Sequence, residues 1–125
     1  LDAIRDPRDC RRVVNLVAFD SLYGHRTAAD AAARALEAVD AWLPSLLDTL
    51  GNGTLLLITA DHGCDPTTPS TDHSREFVPL LALSPRHPSG SSLGVRASLS
   101  DIGQTIADNF AVTIPHGTSF LKELE

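Results

Sequence analysis

A chain of 125 residues, 42% hydrophobic and 21% charged, has the composition of one globular domain or of part of one. Its formal charge of −6 argues against a nucleic-acid binder, which would carry a basic patch, and suits a protein that collects divalent cations as well as one with a solvated acidic surface. No apolar run reaches membrane-spanning length, and nothing at the N-terminus reads as a secretory signal. Cys10 and Cys64 make no disulfide framework and fit a reducing, cytoplasmic compartment. The chain opens on Leu1 and contains no methionine, so it is expected to be a processed product or a portion of something longer.

In chain order, residues 13–19, "VVNLVAF", are β-branched and apolar and predict a buried strand ending at Asp20. A helix follows, with Leu36, Val39, Leu43, Leu46, Leu47 and Leu50 at three- and four-residue spacing. Pro44 should kink or restart it, and Gly51-Asn52-Gly53 should end it. Residues 54–60, "TLLLITA", predict a central strand covered on both faces; residues 78–84, "VPLLALS", predict a third strand. After a surface loop over 84–94, Leu99, Ile102, Ile106 and Phe110 mark a second helix, with Ser98 or Ser100 as its cap. The chain closes on "PHGTSFLKELE", a turn and one short helix. Alternating strand and helix predicts an α/β sheet with right-handed crossovers, parallel pairing and helices on both faces.

Ligands of such sheets gather at the carboxyl ends of the strands. The first predicted strand ends in Asp20, with His25 across a glycine-bearing turn; the second ends in Asp61 and His62; and the loop that follows returns with His73. Parallel pairing would bring these segments side by side, and mixed carboxylate and imidazole donors favour manganese, zinc or iron over calcium. Pro66 and Pro69 lower the entropy cost of ordering the loop that carries His73. Asp65 and Asp72 read as turn residues or as partners of the ligands, and Cys64, without a spaced partner, is weak as a ligand. His87 and His116 read as surface or core histidines.

The segments "FDSLYGHR", "ITADHGCDPTTPSTDHSREFVPLL", "LGVRASLSDIGQTIADNF" and "GTSFLKEL", in that order, resemble the C-terminal part of the phosphopentomutase family of alkaline phosphatase-like metalloenzymes. "ADHG" alone would indicate only the superfamily, whereas "DPTTPSTDHSRE" after it points to the mutases. The resemblance implies a three-layer α/β/α core, with residues 1–125 supplying its C-terminal metal-binding part and lacking the N-terminal core segment and the cap domain. It implies two divalent ions, usually manganese, and a sugar bisphosphate activator. The reaction implied moves a phosphoryl group between the 1- and 5-positions of ribose or deoxyribose through a phosphothreonine. By motif, Asp20, His25 and His73 would hold one ion, and Asp61 and His62 the other. Arg26 and Arg75, beside ligand histidines, would contact phosphate or form salt bridges.

The family's remaining metal-binding aspartate and its nucleophilic threonine lie in no matching motif here, and Thr67, Thr68 and Thr71 stand on the wrong segment to replace the latter. The expectation is therefore a cytoplasmic phosphopentomutase in nucleoside salvage, of which this chain supplies most metal ligands, with no turnover alone. Its partners would be a phosphopentose and the missing N-terminal part, with no nucleic acid and no membrane. The alternatives are a related metal-dependent phosphohydrolase and a truncated, non-catalytic metal-binding module.

Overall fold

A computed structural model describes residues 11–24, 29–65, 67–69, 72–87 and 90–124. The fold is mixed: α1 spans Ala29–Leu47, β1 Leu56–Thr59, β2 Leu80–Leu83 and α2 Ser100–Asn109, with a π-helical turn at Phe19–Gly24 and a 3₁₀ turn at Leu121–Leu124. It divides into two compact units. One holds the described residues up to Gly51 together with those of His62–Val78; the other holds Asn52–Asp61 and the described residues from Pro79 onward.

In the first unit α1 packs against the π-helical turn. Its N-terminal half is built on alanines, the strongest helix formers, and Asp30 in the first turn complements the positive end of the helix dipole. Leu46 is the buried anchor, whereas Leu36 and Leu47, expected on the apolar face, are exposed. From Ala35 onward the less exposed residues of α1 are Ala35, Val39, Leu43 and Leu46, a narrower stripe at spacings of four, four and three. Pro44 lies inside the helix without restarting it, one turn before its end. The helix stops ahead of Gly51 because Thr49 closes it: both its N–H (2.9 Å) and its hydroxyl (2.6 Å) donate to the Leu46 carbonyl.

The strand expected over 13–19 is corrected. Residues 11–16 have no regular structure, Val13 and Val14 are 75% and 73% exposed, and the chain then enters the π-helical turn. There the Ser21 N–H and hydroxyl both donate to the Val17 carbonyl at 3.0 Å, and Phe19 meets Tyr23 edge to face at 6.1 Å. A β-branched run signals a strand only where another strand offers a ladder, and none does among the described residues.

In the second unit β1 and β2 pair antiparallel, with Leu56 opposite Leu83 and Thr59 opposite Leu80, not parallel as the alternation of elements suggested. A parallel pair needs a crossover, usually a helix. The described residues of the connection, 60–79, contain no helix, so the chain simply returns. Nor is β1 covered on both faces, since Leu56, Leu57 and Ile58 are partly exposed and Thr59 exposed.

The core of this unit lies between α2 and the C-terminal segment. Phe120 and Thr105 are fully buried, with Asp101 and Leu124 close behind. The polar groups are satisfied from the tail: Thr118 N–H donates to Asp101 Oδ1 (2.8 Å), Phe120 N–H donates to Thr105 Oγ1 (3.0 Å), and that hydroxyl donates to the Asp101 carbonyl (2.7 Å). Arg96 Nε stands 3.5 Å from Asp101 Oδ2, and the guanidinium lies 5.2 Å over the Phe120 ring. Leu99 and Phe110, expected on the buried face of α2, are instead 50% and 44% exposed. Neither serine expected as its cap takes that place: Leu99 stands at the N-cap with no side-chain cap bond, Ser100 is the first residue of the helix, and Ser98, ahead of the cap, accepts the Ser100 N–H at 3.1 Å.

Candidate metal centre

Three side chains of the first unit converge. Asp20 is set by the π-helical turn, and His62 and His73 by a loop that doubles back through an isolated antiparallel bridge between Gly63 and Ser74. Asp20 Oδ1 lies 3.2 Å from His73 Nε2 and 3.7 Å from His62 Nε2, and one ligand atom from each residue falls within 4.8 Å of the others. The two imidazoles stack, with centroids 3.6 Å apart and planes inclined by 16°. Asp20 and His62 are partly buried and His73 is half exposed, so the group is sheltered on one side and open to solvent on the other.

The bridge explains the closeness of the two histidines. A Cβ on Gly63 would sit 2.7 Å from the Glu76 backbone nitrogen and 2.8 Å from the Ser74 carbonyl oxygen, so only glycine lets the two arms of the loop approach this far. Ser74 N–H donates to the Gly63 carbonyl (3.1 Å), and the Ser74 hydroxyl accepts the Asp65 N–H (3.0 Å). Asp65 in turn holds its own turn, accepting from the Thr67 N–H (2.9 Å) and hydroxyl (2.6 Å). These bonds, the hydroxyl's first, keep the carboxyl below its ordinary pKa. Asp65 is thus engaged locally as a turn residue. His62 Nδ1 lies 3.1 Å from the Gly63 carbonyl oxygen, which orients the ring with Nε2 toward Asp20.

Of the five residues expected as ligands, then, the structure gathers Asp20, His62 and His73. Asp61, just after β1, is exposed, belongs to the second unit and stands outside the group. His25 lies outside the described residues, as do Arg26 and Thr71; Arg75 is exposed. The grouping cuts across the expected division, in which His62 went with Asp61. Gly63 and Ser74, which set the spacing of the imidazoles, were not singled out from the sequence. The signal was a glycine flanked by candidate ligands, readable only once its opposite arm is known.

One carboxylate and two imidazoles are a donor set for a divalent transition metal rather than for calcium or magnesium, which take mainly oxygen. The ligands of a tetrahedral ion with bonds of 2.0–2.1 Å stand about 3.3 Å apart, and the 3.2 and 3.7 Å separations here bracket that value. The residue types therefore fit a divalent ion, which both imidazoles reach only when one ring turns out of the stack.

A family model described as the Metalloenzyme superfamily matches residues 2–114. Among curated proteins, the chain is 59% identical over 111 residues to a phosphopentomutase of Anaeromyxobacter dehalogenans, covering 89% of this chain and 28% of the relative. It is 57% identical over 110 residues to one of Syntrophotalea carbinolica, with 88% and 28% covered. Against one of Thermotoga maritima it is 53% identical over 113 residues, with 90% and 29% covered. The chain thus spans less than a third of the length of the curated relatives it matches. Among the described residues no helix is long and apolar enough to cross a membrane.

Proposed function

The chain belongs to the Metalloenzyme superfamily, and from that premise we propose that it is the C-terminal metal-binding part of a phosphopentomutase. The observation that carries this reading is the convergence of Asp20, His62 and His73, within a stretch matched at more than half identity by phosphopentomutases. In this reading the unit completes a three-layer α/β/α core together with a preceding core segment and a cap. Asp20, His25 and His73 hold one divalent ion, Asp61 and His62 serve a second, and manganese is the physiological metal.

The bound ions would lower the charge on the transferred phosphoryl group and activate its acceptor. The chain's own residues do the positioning. Asp20 supplies the negative charge that holds cations at the open side of the loop. The contact of His62 Nδ1 with the Gly63 carbonyl orients the ring so that Nε2 is turned toward Asp20. Arg75, exposed three residues before Val78, and Arg26 approach the phosphate of a ribose or deoxyribose phosphate. A sugar bisphosphate primes a threonine outside this chain by phosphorylating it; that phosphoryl passes to the open oxygen of the sugar phosphate, and the threonine takes back the phosphoryl from the other oxygen. Nucleoside salvage in the cytoplasm is the setting that suits this reaction.

A chimera tests the reading: the matching stretch of the Thermotoga maritima relative is replaced by this chain, and the conversion of ribose 1-phosphate to ribose 5-phosphate is followed with manganese and a bisphosphate primer. The expected result is isomerisation by the chimera and none by the 125-residue chain alone. A folded chimera that releases inorganic phosphate without isomerising would turn the reading to a phosphohydrolase. A folded chimera that transfers nothing would leave a non-catalytic module.

A further inference from the structure

In the second unit a cavity of about 390 Å³ lies between β2, Leu124 and the loop over 90–94. That volume falls within the range of small-molecule sites, roughly 300–1,000 Å³. Its floor is aliphatic, and the polar side chains that line it are those of Ser84, His87, Ser91 and Ser92. His87 Nε2 is buried and has no hydrogen-bond partner among the described residues. A nitrogen buried in that way is costly, so it calls for a partner from outside the chain. The backbone beneath the ring is fixed by a turn with Pro85 in its second position. There the Ser84 carbonyl accepts the His87 N–H (3.1 Å) and the Ser84 hydroxyl accepts the Arg86 N–H (3.3 Å). The facing wall is bounded by Gly90 and Gly94 at φ of 65° and 64°. Its Ser92 hydroxyl accepts the Gly94 N–H (3.2 Å), and Arg96 Nη1 donates to the Leu93 carbonyl (3.3 Å).

We propose that this cavity binds a small carboxylate with an apolar body, held by His87, Ser84, Ser91 and Ser92 over the aliphatic floor of β2 and Leu124. The Ser84 and Ser92 oxygens each spend a lone pair on a backbone N–H, so their hydroxyl hydrogens remain to donate. Ser91 adds a third hydroxyl, and an imidazole with its proton on Nε2 adds a fourth donor. Such a set favours a ligand rich in acceptors, and a carboxylate oxygen supplies the partner that Nε2 lacks. No lysine or arginine lines the cavity among the described residues, which disfavours a phosphate dianion. The aliphatic floor rewards an apolar body and disfavours a bare ion. None of these residues is a candidate metal ligand, so the site lies beyond the phosphopentomutase reading.

The test is a titration of the full 15N-labelled chain with sodium benzoate, read in amide spectra and in long-range 1H–15N spectra of the imidazoles. The expected result is a saturable shift of His87 Nε2 together with the Ser91 and Ser92 amides. Benzyl alcohol keeps the ring without the charge, and inorganic phosphate keeps charge without the ring. Each should bind about tenfold more weakly than benzoate, or worse. His87→Phe preserves a ring and removes the nitrogen, and should lose about tenfold in benzoate affinity with the Thr105 and Phe120 signals in place. The proposal fails if benzoate gives no saturable shift, if benzyl alcohol or phosphate binds as tightly, or if His87→Phe binds benzoate undiminished. Should that variant not fold, the three probes on the unmodified chain still decide the matter. Neither metal nor turnover is read, so failure here is separable from failure of the chimera.

Discussion

Ala111 holds φ at 54°, the left-handed region, at the point where α2 ends. Its N–H donates to the Asp108 carbonyl (2.9 Å) and the Val112 N–H to the Ala107 carbonyl (2.8 Å), the paired bonds of a Schellman cap. Such caps favour glycine, because a Cβ crowds the following carbonyl. Ala111→Gly is expected to stabilise the chain by about 1 kcal/mol, measured by urea denaturation. Asp65 gives a second test at this scale. Its folded pKa is depressed by the Thr67 hydroxyl first and the Thr67 N–H second. The stabilisation linked to it is present above the ordinary carboxylate range and is lost as pH falls through the lower folded value. Thr67→Ala should move the Asp65 carboxyl back toward its ordinary pKa in an NMR titration and narrow that acid window.

The doubled-back loop over 62–74 depends on a close approach that side chains would prevent. Gly63→Ala would place a methyl group 2.7 Å from the Glu76 nitrogen and prise the arms apart, carrying His62 from His73. It is expected to destabilise the chain by about 2–3 kcal/mol and to weaken zinc binding, read by urea denaturation and by calorimetry. A similar constraint holds Gly117, whose φ of 94° and whose 2.1 Å gap from a built Cβ to the Ser100 carbonyl oxygen exclude any side chain. Elements of this kind also mark where the sequence was legible. β1, β2, α1, α2 and the final short helix all fall within the segments expected of them, because each has local periodicity or bounding turn residues. Residues 13–19 misled because β-branching reports a preference for pairing without revealing whether a partner exists. The antiparallel register was hidden for a related reason: it depends on a connection that lacks a helix, and the motifs in that connection drew attention to chemistry rather than to chain direction. The candidate ligands could be read from residue type and motif, but which of them meet is a matter of tertiary geometry.

For the whole molecule, a ligand that joins Asp20 to His62 and His73 ties the π-helical turn to a loop some forty residues further along the chain. Binding to the folded form alone raises stability by about 2.7 kcal/mol at one hundred times the dissociation constant. Zinc should therefore raise the thermal midpoint of the unit that holds the site, and His73→Ala should abolish that rise, both followed by differential scanning calorimetry. The same unit is interrupted in sequence. The path leaves it after Gly51, re-enters at His62 and leaves again after Val78, so the two units are interleaved rather than strung end to end. The donors cannot then be excised as one contiguous cassette without β1 of the other unit: a piece ending at Gly51 carries Asp20 without either imidazole, and a piece beginning at His62 carries both imidazoles without the carboxylate. During synthesis the three donors cannot meet until His73 has left the ribosome, by which point the residues of β1 have been made and those of its partner β2 have not. Each unit is obliged to begin before the other can finish.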